Sequence, residues 1–411
     1  MSERTLKSIE ELIKFHGKPK REVYFDGENS GRVLKEVIEA MLPYFRDTGY
    51  GHPSITNKPG WEAYEAFSKA SELIAKTLNV NPQDLIFTHS GTEANNLAIL
   101  GGVRANKHLG KKIIISAIEH LSVIFPAKEL EKTGFKIVEV PVDSEGFMDP
   151  DTLESFVDDD TVLVSIGYVN HEIGTIQRLR EIIEKIRDKN PNTIIHSDVV
   201  DAYGRIPLDL TKLDLDMATL SSHKIKGPRG VGVLYLKEGV NLEKIIYGQL
   251  STQEYWPGVE NVPLVVGFAK AAEIRFTNFE EKVNHMRKLR DMLIEGIMDK
   301  VPYVILNGPK GERRAPDNVN LSFLYCEGEA LTIEFSFNGV YVSSGSACTT
   351  RVLEPSHVLV AIGRKYEEAH GSILFKVDPE HTIEDIEYTL EVVPKAVERI
   401  RMISSAKPRE V

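Results

Sequence analysis

Thr193-Ile194-Ile195-His196-Ser197-Asp198 is an apolar run that stops abruptly on polar residues. Met217-Ala218-Thr219-Leu220 stops the same way, on Ser221-Ser222-His223-Lys224. Gly227-Pro228-Arg229-Gly230 follows, and then a third apolar run over 231–236. Short β-rich runs closed by polar residues read as buried strands whose carboxyl ends open on a crevice. In open α/β sheets that edge is where ligands bind. Working outward, residues 85–88, 113–117, 135–140 and 162–166 are further candidate strands, several of them separated by helical or turn-rich stretches. This alternation predicts a mainly parallel sheet covered by helices on both faces, an α/β fold.

Asp198 at one strand end and Lys224 at the next suit pyridoxal phosphate chemistry. The lysine forms a Schiff base with the aldehyde, and the acid keeps the pyridine nitrogen protonated so that the ring accepts electrons. One Asp and one Lys taken alone are better explained as an ordinary ion pair at a sheet edge. The longer run shifts that judgement. Asp198-Val-Val-Asp-Ala-Tyr-Gly-Arg205, then Ser221-Ser-His-Lys224-Ile-Lys-Gly-Pro-Arg-Gly-Val-Gly232, resembles the cofactor-binding core of the class V aminotransferase family, specifically the cysteine desulfurases of the NifS/IscS kind. The resemblance covers roughly residues 24 to 393. It implies a type I pyridoxal phosphate transferase fold and a homodimer. The large cofactor-binding domain is expected over 25–265. Residues 1–24 and 266–411 are expected to form a smaller α+β domain.

The bulk properties agree with an enzyme of this size. A chain of 411 residues is long enough for two domains with substantial cores. Hydrophobic residues at 42% and charged residues at 27% are ordinary for a globular protein. A net charge of −11 argues against direct nucleic-acid binding, which needs a basic face. No apolar run approaches the ~20 residues of a membrane span. Met1-Ser-Glu-Arg-Thr-Leu-Lys has no apolar signal core. With two cysteines, Cys326 and Cys348, a disulfide framework is not expected and the cytoplasm is the expected compartment. Val283, Met286, Leu289, Leu293 and Ile297 recur at helical spacing, as do Ile386, Leu390, Val393, Val397 and Ile400. Thr382-Ile-Glu-Asp385 signals the start of the second helix, and Pro394 is expected to kink it.

Three further strand ends carry polar clusters. After 85–88, His89-Ser-Gly-Thr-Glu-Ala-Asn95 opens a helix. Small residues there leave backbone N–H groups free to cradle a phosphate, although Ser90 or Thr92 acting as a plain N-cap explains the string equally. The resemblance makes this the phosphate-binding turn, with Gly91 and Thr92 as ligands, and adds Ser221 and His223 to the cofactor set. Glu119-His120 matches the family's Glu-His pair, whose histidine stacks on the cofactor ring and is poised for proton transfer. Val169-Asn170-His171-Glu172-Ile-Gly174 is similar to the family's Asn-Asn-Glu-x-Gly segment, which places Asn170 near cofactor and substrate.

A second centre lies in Tyr341-Val-Ser-Ser-Gly-Ser-Ala-Cys348-Thr-Thr-Arg351. Small polar residues with glycine suit a mobile surface loop. Cys326, beside Leu324 and Tyr325, reads as a buried filler, whereas Cys348 has little apolar packing to justify it, so reactivity is the better account. The string, with Glu354-Pro-Ser-His-Val-Leu359 after it, closely resembles the desulfurases' persulfide-forming loop. The family chemistry then makes Lys224, Cys348 and His120 the catalytic residues and L-cysteine the substrate. Lys224 moves the α-proton, Cys348 takes the sulfur as a persulfide, and alanine is released. The persulfide passes to a sulfur-acceptor or iron–sulfur scaffold protein, for cluster assembly or tRNA thiolation.

Several positions depart from the family pattern. Ser372-Ile-Leu374-Phe375 has leucine where the desulfurases place an arginine for the substrate carboxylate, a strong directional contact. Arg351, Arg364 and Lys376 are the candidate substitutes. Asp201 stands where the family has a glutamine on the ring hydroxyl. An acid there either accepts the phenolic proton or is itself protonated. The segment from Gln253 to Asn261 is short, and Val259 replaces a threonine that reaches a phosphate in the partner subunit. These changes keep two alternatives open: a selenocysteine lyase or other β-eliminating enzyme on this scaffold, and a poorly active sulfur-relay protein.

Overall fold

The computed structural model describes residues 17–249, 251–344 and 355–404. The chain divides into two compact units. One holds residues 30–171 and 175–280, and the other is contributed by the segments before 30, at 172–174 and after 280. No helix among the described residues is long and apolar enough to cross a membrane.

In the first unit, in chain order, come α1 (Lys35–Met41), α2 (Lys58–Leu78), β1 (Leu85–Thr88), α3 (Gly91–Asn96), β2 (Lys112–Ser116) and α4 (Leu121–Glu131). They are followed by β3 (Lys136–Val140), β4 (Thr161–Ser165), α5 (Leu179–Lys189), β5 (Ile194–Asp198), β6 (Met217–Ser221), β7 (Gly232–Leu236) and α6 (Val262–Phe276). The seven strands form one sheet in the order β1-β7-β6-β5-β4-β2-β3. β7 is antiparallel to both β1 and β6, and the other pairings are parallel.

Strands β2, β4 and β6 are buried along their whole length, the mark of a sheet covered on both faces. The edge strand β3 keeps Lys136 and Glu139 exposed, which blunts further pairing. Ile113, Ile115, Val123, Ala127, Leu130 and Val162 join the core between the sheet and α4. On the other side, Asn57 caps α2 by accepting the Gly60 N–H at 2.9 Å, and Ala63, Phe67, Ala70, Ile74 and Leu78 make a buried stripe. That helix packs against α6. The boundary expected at 265 therefore falls inside α6, which stays with the first unit through Glu280.

The second unit begins with α7 (Phe279–Lys300), whose first two residues still belong to the first. It has a four-stranded sheet of β8 (Val304–Leu306), β9 (Asn318–Phe323), β10 (Ser343–Ser344) and β11 (Ser372–Lys376), in the antiparallel order β10-β11-β9-β8. The last helix, α8 (Ile383–Ile403), starts at the expected capping box of Thr382 and Asp385 and runs on through Pro394. The chain before residue 30 belongs here beyond the expected 24, because Phe25 is fully buried against Phe375 and stacked on His381. Residues 172–174 join it too: Asn318 and Asn320 both donate to the Glu172 carbonyl, at 2.9 and 3.1 Å.

Candidate active site

The sheet delivers its polar residues at adjoining strand ends. β5 ends on Asp198, and β6 ends on Ser221 and passes straight into a one-turn 3-10 helix, Ser222–Ile225, that carries His223 and Lys224. Lys226 closes the turn in the left-handed region at φ 64°, and the Gly227 N–H returns to the Ser222 carbonyl at 3.1 Å. A Cβ on Gly227 would overlap the Ser222 hydroxyl and crowd the Ser222 carbonyl at 3.0 Å, so a side chain there would displace the serine.

Lys224 is buried with its Nζ 3.3 Å from Asp201 Oδ2. The Arg205 guanidinium lies 3.9 Å from the other Asp201 oxygen and donates to the Lys224 carbonyl at 3.2 Å. Asp198 accepts from Asn95 Nδ2 at 2.8 Å and from the Val200 N–H at 3.0 Å. Burial pushes the Asp198 carboxyl above the ordinary carboxylate range; the two hydrogen bonds oppose the rise and neighbouring Asp201 adds to it.

A hydrogen-bonded chain runs from this acid to the histidine. Asn95 Nδ2 also donates to Ser122 Oγ at 2.8 Å, and Ser122 Oγ lies 2.6 Å from His120 Nδ1. The Ser122 backbone N–H donates to the same Nδ1 at 3.1 Å, which makes Nδ1 an acceptor and leaves the proton of a neutral ring on Nε2. His171 meets His120 edge-on, with ring centroids 5.1 Å apart. Beside them Glu119 accepts the Gly167 N–H at 2.7 Å, and burial pushes its carboxyl up to about 8. Asn170 is buried with its amide donating to the Ile118 carbonyl at 2.8 Å. Asn95, Ser122 and Arg205 are the site neighbours that the sequence reading did not single out. Asn95 stood in the quoted helix string, but nothing in a string shows that it reaches an acid 103 positions away.

The turn before α3 settles which residue caps it. Ser90 Oγ accepts the Glu93 N–H at 3.2 Å, so the Thr92 hydroxyl is not the cap. Thr92 instead lines a cleft of about 410 Å³ together with Asn96, His120, Leu121, Ser122 and Phe125. Gly91 sits so close to Ser221 and Val200 that an added Cβ would touch both at 3.4 Å. Ser221 Oγ is in turn 2.8 Å from His223 Nδ1.

In the second unit, Leu374 is buried in β11, paired with Asn320 and Ser343. Both described cations proposed to replace the missing arginine have partners of their own. Arg364 donates to Asn307 Oδ1 at 2.6 Å and to the Leu306 carbonyl at 3.1 Å, while Lys376 lies 3.2 Å from Glu28 and 3.5 Å from Asp317. Cys326 is buried and burial pushes its thiol up, as suits a filler. Cys348 and Arg351 lie outside the described residues. Gln253 uses its amide to bond the Phe87 N–H and carbonyl, which ties the short 253–261 segment to β1, and Val259 is exposed.

Residues 23–388 match the family described as aminotransferase class-V. The chain belongs to this family. It is 42% identical to a cysteine desulfurase IscS 1 of Archaeoglobus fulgidus, over 93% of this chain and 98% of that one. Among solved structures it resembles a NifS-like protein with a TM-score of 0.86 and 35% identity, covering 92% of this chain and all of the other. It also resembles SspA in complex with cysteine, with a TM-score of 0.76 and 28% identity over 87% and 99% of the two chains.

Class-V aminotransferases use pyridoxal phosphate, and the residues present fit that group. A buried amine at Lys224 suits an aldehyde. A half-buried acid at Asp198, with its charge disfavoured, suits a cationic ring nitrogen. The turn at Gly91, pressed on Ser221, offers backbone N–H groups and hydroxyls for a phosphate.

Proposed function

We propose that the protein is a pyridoxal-phosphate-dependent cysteine desulfurase, which converts L-cysteine and the thiol of Cys348 into L-alanine and a persulfide on Cys348. The observation that carries this reading is the burial of Lys224 in one cluster with Asp198 and Asp201, at the ends of adjoining strands. When bound, the cofactor supplies an aldehyde that captures amines and a ring that accepts electrons. Lys224 ties it to the protein and, once released, moves the substrate α-proton. Asp198 holds the proton of the ring nitrogen. Gly91, Thr92, Ser221 and His223 take the phosphate. Asn170 borders the cofactor and substrate. His120, held by Ser122 through Nδ1, presents a protonated Nε2 for proton transfer. Cys348 receives the sulfur and hands it to an acceptor for iron–sulfur assembly or tRNA thiolation, in the cytoplasm.

Two copies form the working unit. Trp61, Tyr64, Phe45 and Leu42 are exposed around the start of α2, an apolar face that a second copy would cover.

The test supplies cysteine to purified, cofactor-loaded protein and measures alanine and sulfide for the wild type and Cys348→Ala. Product formation that collapses in the variant is expected. Leu374 favours one second reading, a related lyase whose substrate is anchored differently. Turnover that survives Cys348→Ala would establish that reading instead.

A further inference from the structure

Nothing in the proposed reaction uses Asn95, yet its amide lies between two of the groups that act there. Asn95 is almost fully buried, and its Nδ2 donates to Asp198 Oδ2 and to Ser122 Oγ, each at 2.8 Å. Its own Oδ1 is buried as well and accepts no hydrogen bond among the described residues. Burying an acceptor without a donor is unfavourable, so this orientation of the amide needs a cause. Asp198 supplies it. A carboxylate can only accept, and an amide turned over would meet it oxygen against oxygen. The acid therefore fixes the amide, and both amide hydrogens are committed.

The other directions follow from that one. Ser122 Oγ accepts from Asn95, which leaves its single hydrogen to point at His120 Nδ1, 2.6 Å away. The Ser122 backbone N–H meets the same nitrogen at 3.1 Å. Two donors on Nδ1 favour the neutral ring over the imidazolium. A protonated Asp198 would undo this order. It would donate to the Asn95 oxygen of a reversed amide, and the Ser122 hydroxyl would swing to that oxygen and leave the histidine. Glu119, His171 and Glu129 also border His120, by sequence, by ring contact and across the cleft, and all three are unchanged in the variants used below.

Resting on the pyridoxal phosphate reading, we propose that Asn95 and Ser122 are positioning residues that pass the charge of Asp198 on to His120: while Asp198 is the anion facing a cationic ring nitrogen, they hold the histidine neutral with its proton on Nε2. No proton is transferred along the chain, and each hydrogen bond only sets the direction of the next. The acid that holds the ring thereby also sets the histidine for proton transfer.

The test reads the histidine ring rather than turnover. Ring-nitrogen NMR of histidine-labelled, cofactor-loaded protein reports tautomer and charge, and the His120 signal is the one lost in His120→Gln. Wild type is compared with Ser122→Ala, Asn95→Leu and the double variant, and borohydride capture of the adduct at Lys224 shows the loading. Wild type is expected to carry its proton on Nε2. Each single variant is expected to raise the titration midpoint of His120 by about one pH unit, because a donor that favours the neutral ring is gone. Asn95 acts on the histidine through Ser122, so the double variant should titrate like Ser122→Ala alone. Adduct in the wild type with a midpoint that no variant moves, or with shifts that simply add, would overturn the relay and leave the site reading intact. No adduct in the wild type would overturn both. Asn95→Ala removes the same donors as Asn95→Leu, so agreement between them excludes a packing defect peculiar to one.

Discussion

Glu119 is the side chain of this site whose proton the fold itself retains. Its carboxyl is fully buried and titrates at about 8 rather than the ordinary 4.5, chiefly because burial penalises the charged form. Between those two values the folded protein holds a proton that the unfolded chain has released, so stability falls as pH rises through that window. At about 1.36 kcal/mol for each pH unit the loss is at most ~5 kcal/mol. Glu119→Gln keeps the shape without the charge. Denaturant unfolding at pH 5.5 and 8.5 should show a smaller pH-dependent loss in the variant, and equal losses would contradict the assignment. Lys224 supports a sharper expectation. Lys224→Ala should lower alanine formation about 10²–10⁴-fold and abolish the borohydride-captured adduct, as read by mass spectrometry of the peptide. The strand-end positions of Asp198 and Lys224 were legible in the sequence because each follows an apolar run, whereas a role for them beyond an ordinary ion pair came only from the longer resemblance. The Asn95–Ser122 link was not legible, since a buried polar contact between two helix starts leaves no periodic trace.

Among the elements, strand and turn positions were readable and the ownership of helices was not. Continuous β-branched runs such as Ile113-Ile114-Ile115 read as strands buried on both faces, and the sheet formed from them as expected. Helix α6 is apolar on most of its surface, so its pattern names no partner, and only its packing on α2 assigns it to the first unit. The Glu172–Gly174 segment crosses to the second unit through hydrogen bonds of Asn318 and Asn320 that no spacing rule anticipates. The turn proposed to hold the phosphate depends on a close approach of two elements. Gly232 opens β7 directly under the Ser90–Gly91 turn, and a Cβ there would overlap the Ser90 carbonyl. Gly232→Ala should therefore push α3 outward and cost about 1–3 kcal/mol, the usual toll of overpacking. Cofactor titration of the variant should show a weakened affinity, while the Lys224 adduct still forms at saturating cofactor. Unchanged affinity and unfolding midpoint would mean that the turn is not held by this contact.

On the scale of the whole molecule, several large apolar side chains are exposed close together. Trp61 is 61% exposed and Phe45 60%, with Leu42 and Tyr64 similarly open. They belong to one region of the first unit, because Thr48 and Gly49 both donate to Glu62 in the first turns of α2. Scattered apolar residues are ordinary on a surface, but several large ones gathered around one helix start mark an interface. The net charge of −11 works against indiscriminate clumping, so a closed pairing of copies is the expected outcome rather than aggregation. A stable pairing buries about 1,200–2,000 Å² and rests on a few central aromatic anchors, the part Trp61 and Phe45 are placed to play. Charges introduced at both positions, Trp61→Glu with Phe45→Glu, would have to lose their water to enter such a contact. Light scattering coupled to size exclusion should then report a dimer for the wild type and a monomer of 46.1 kDa for the double variant. A wild type that elutes as a monomer, or a double variant that stays dimeric, would place the interface elsewhere or remove it.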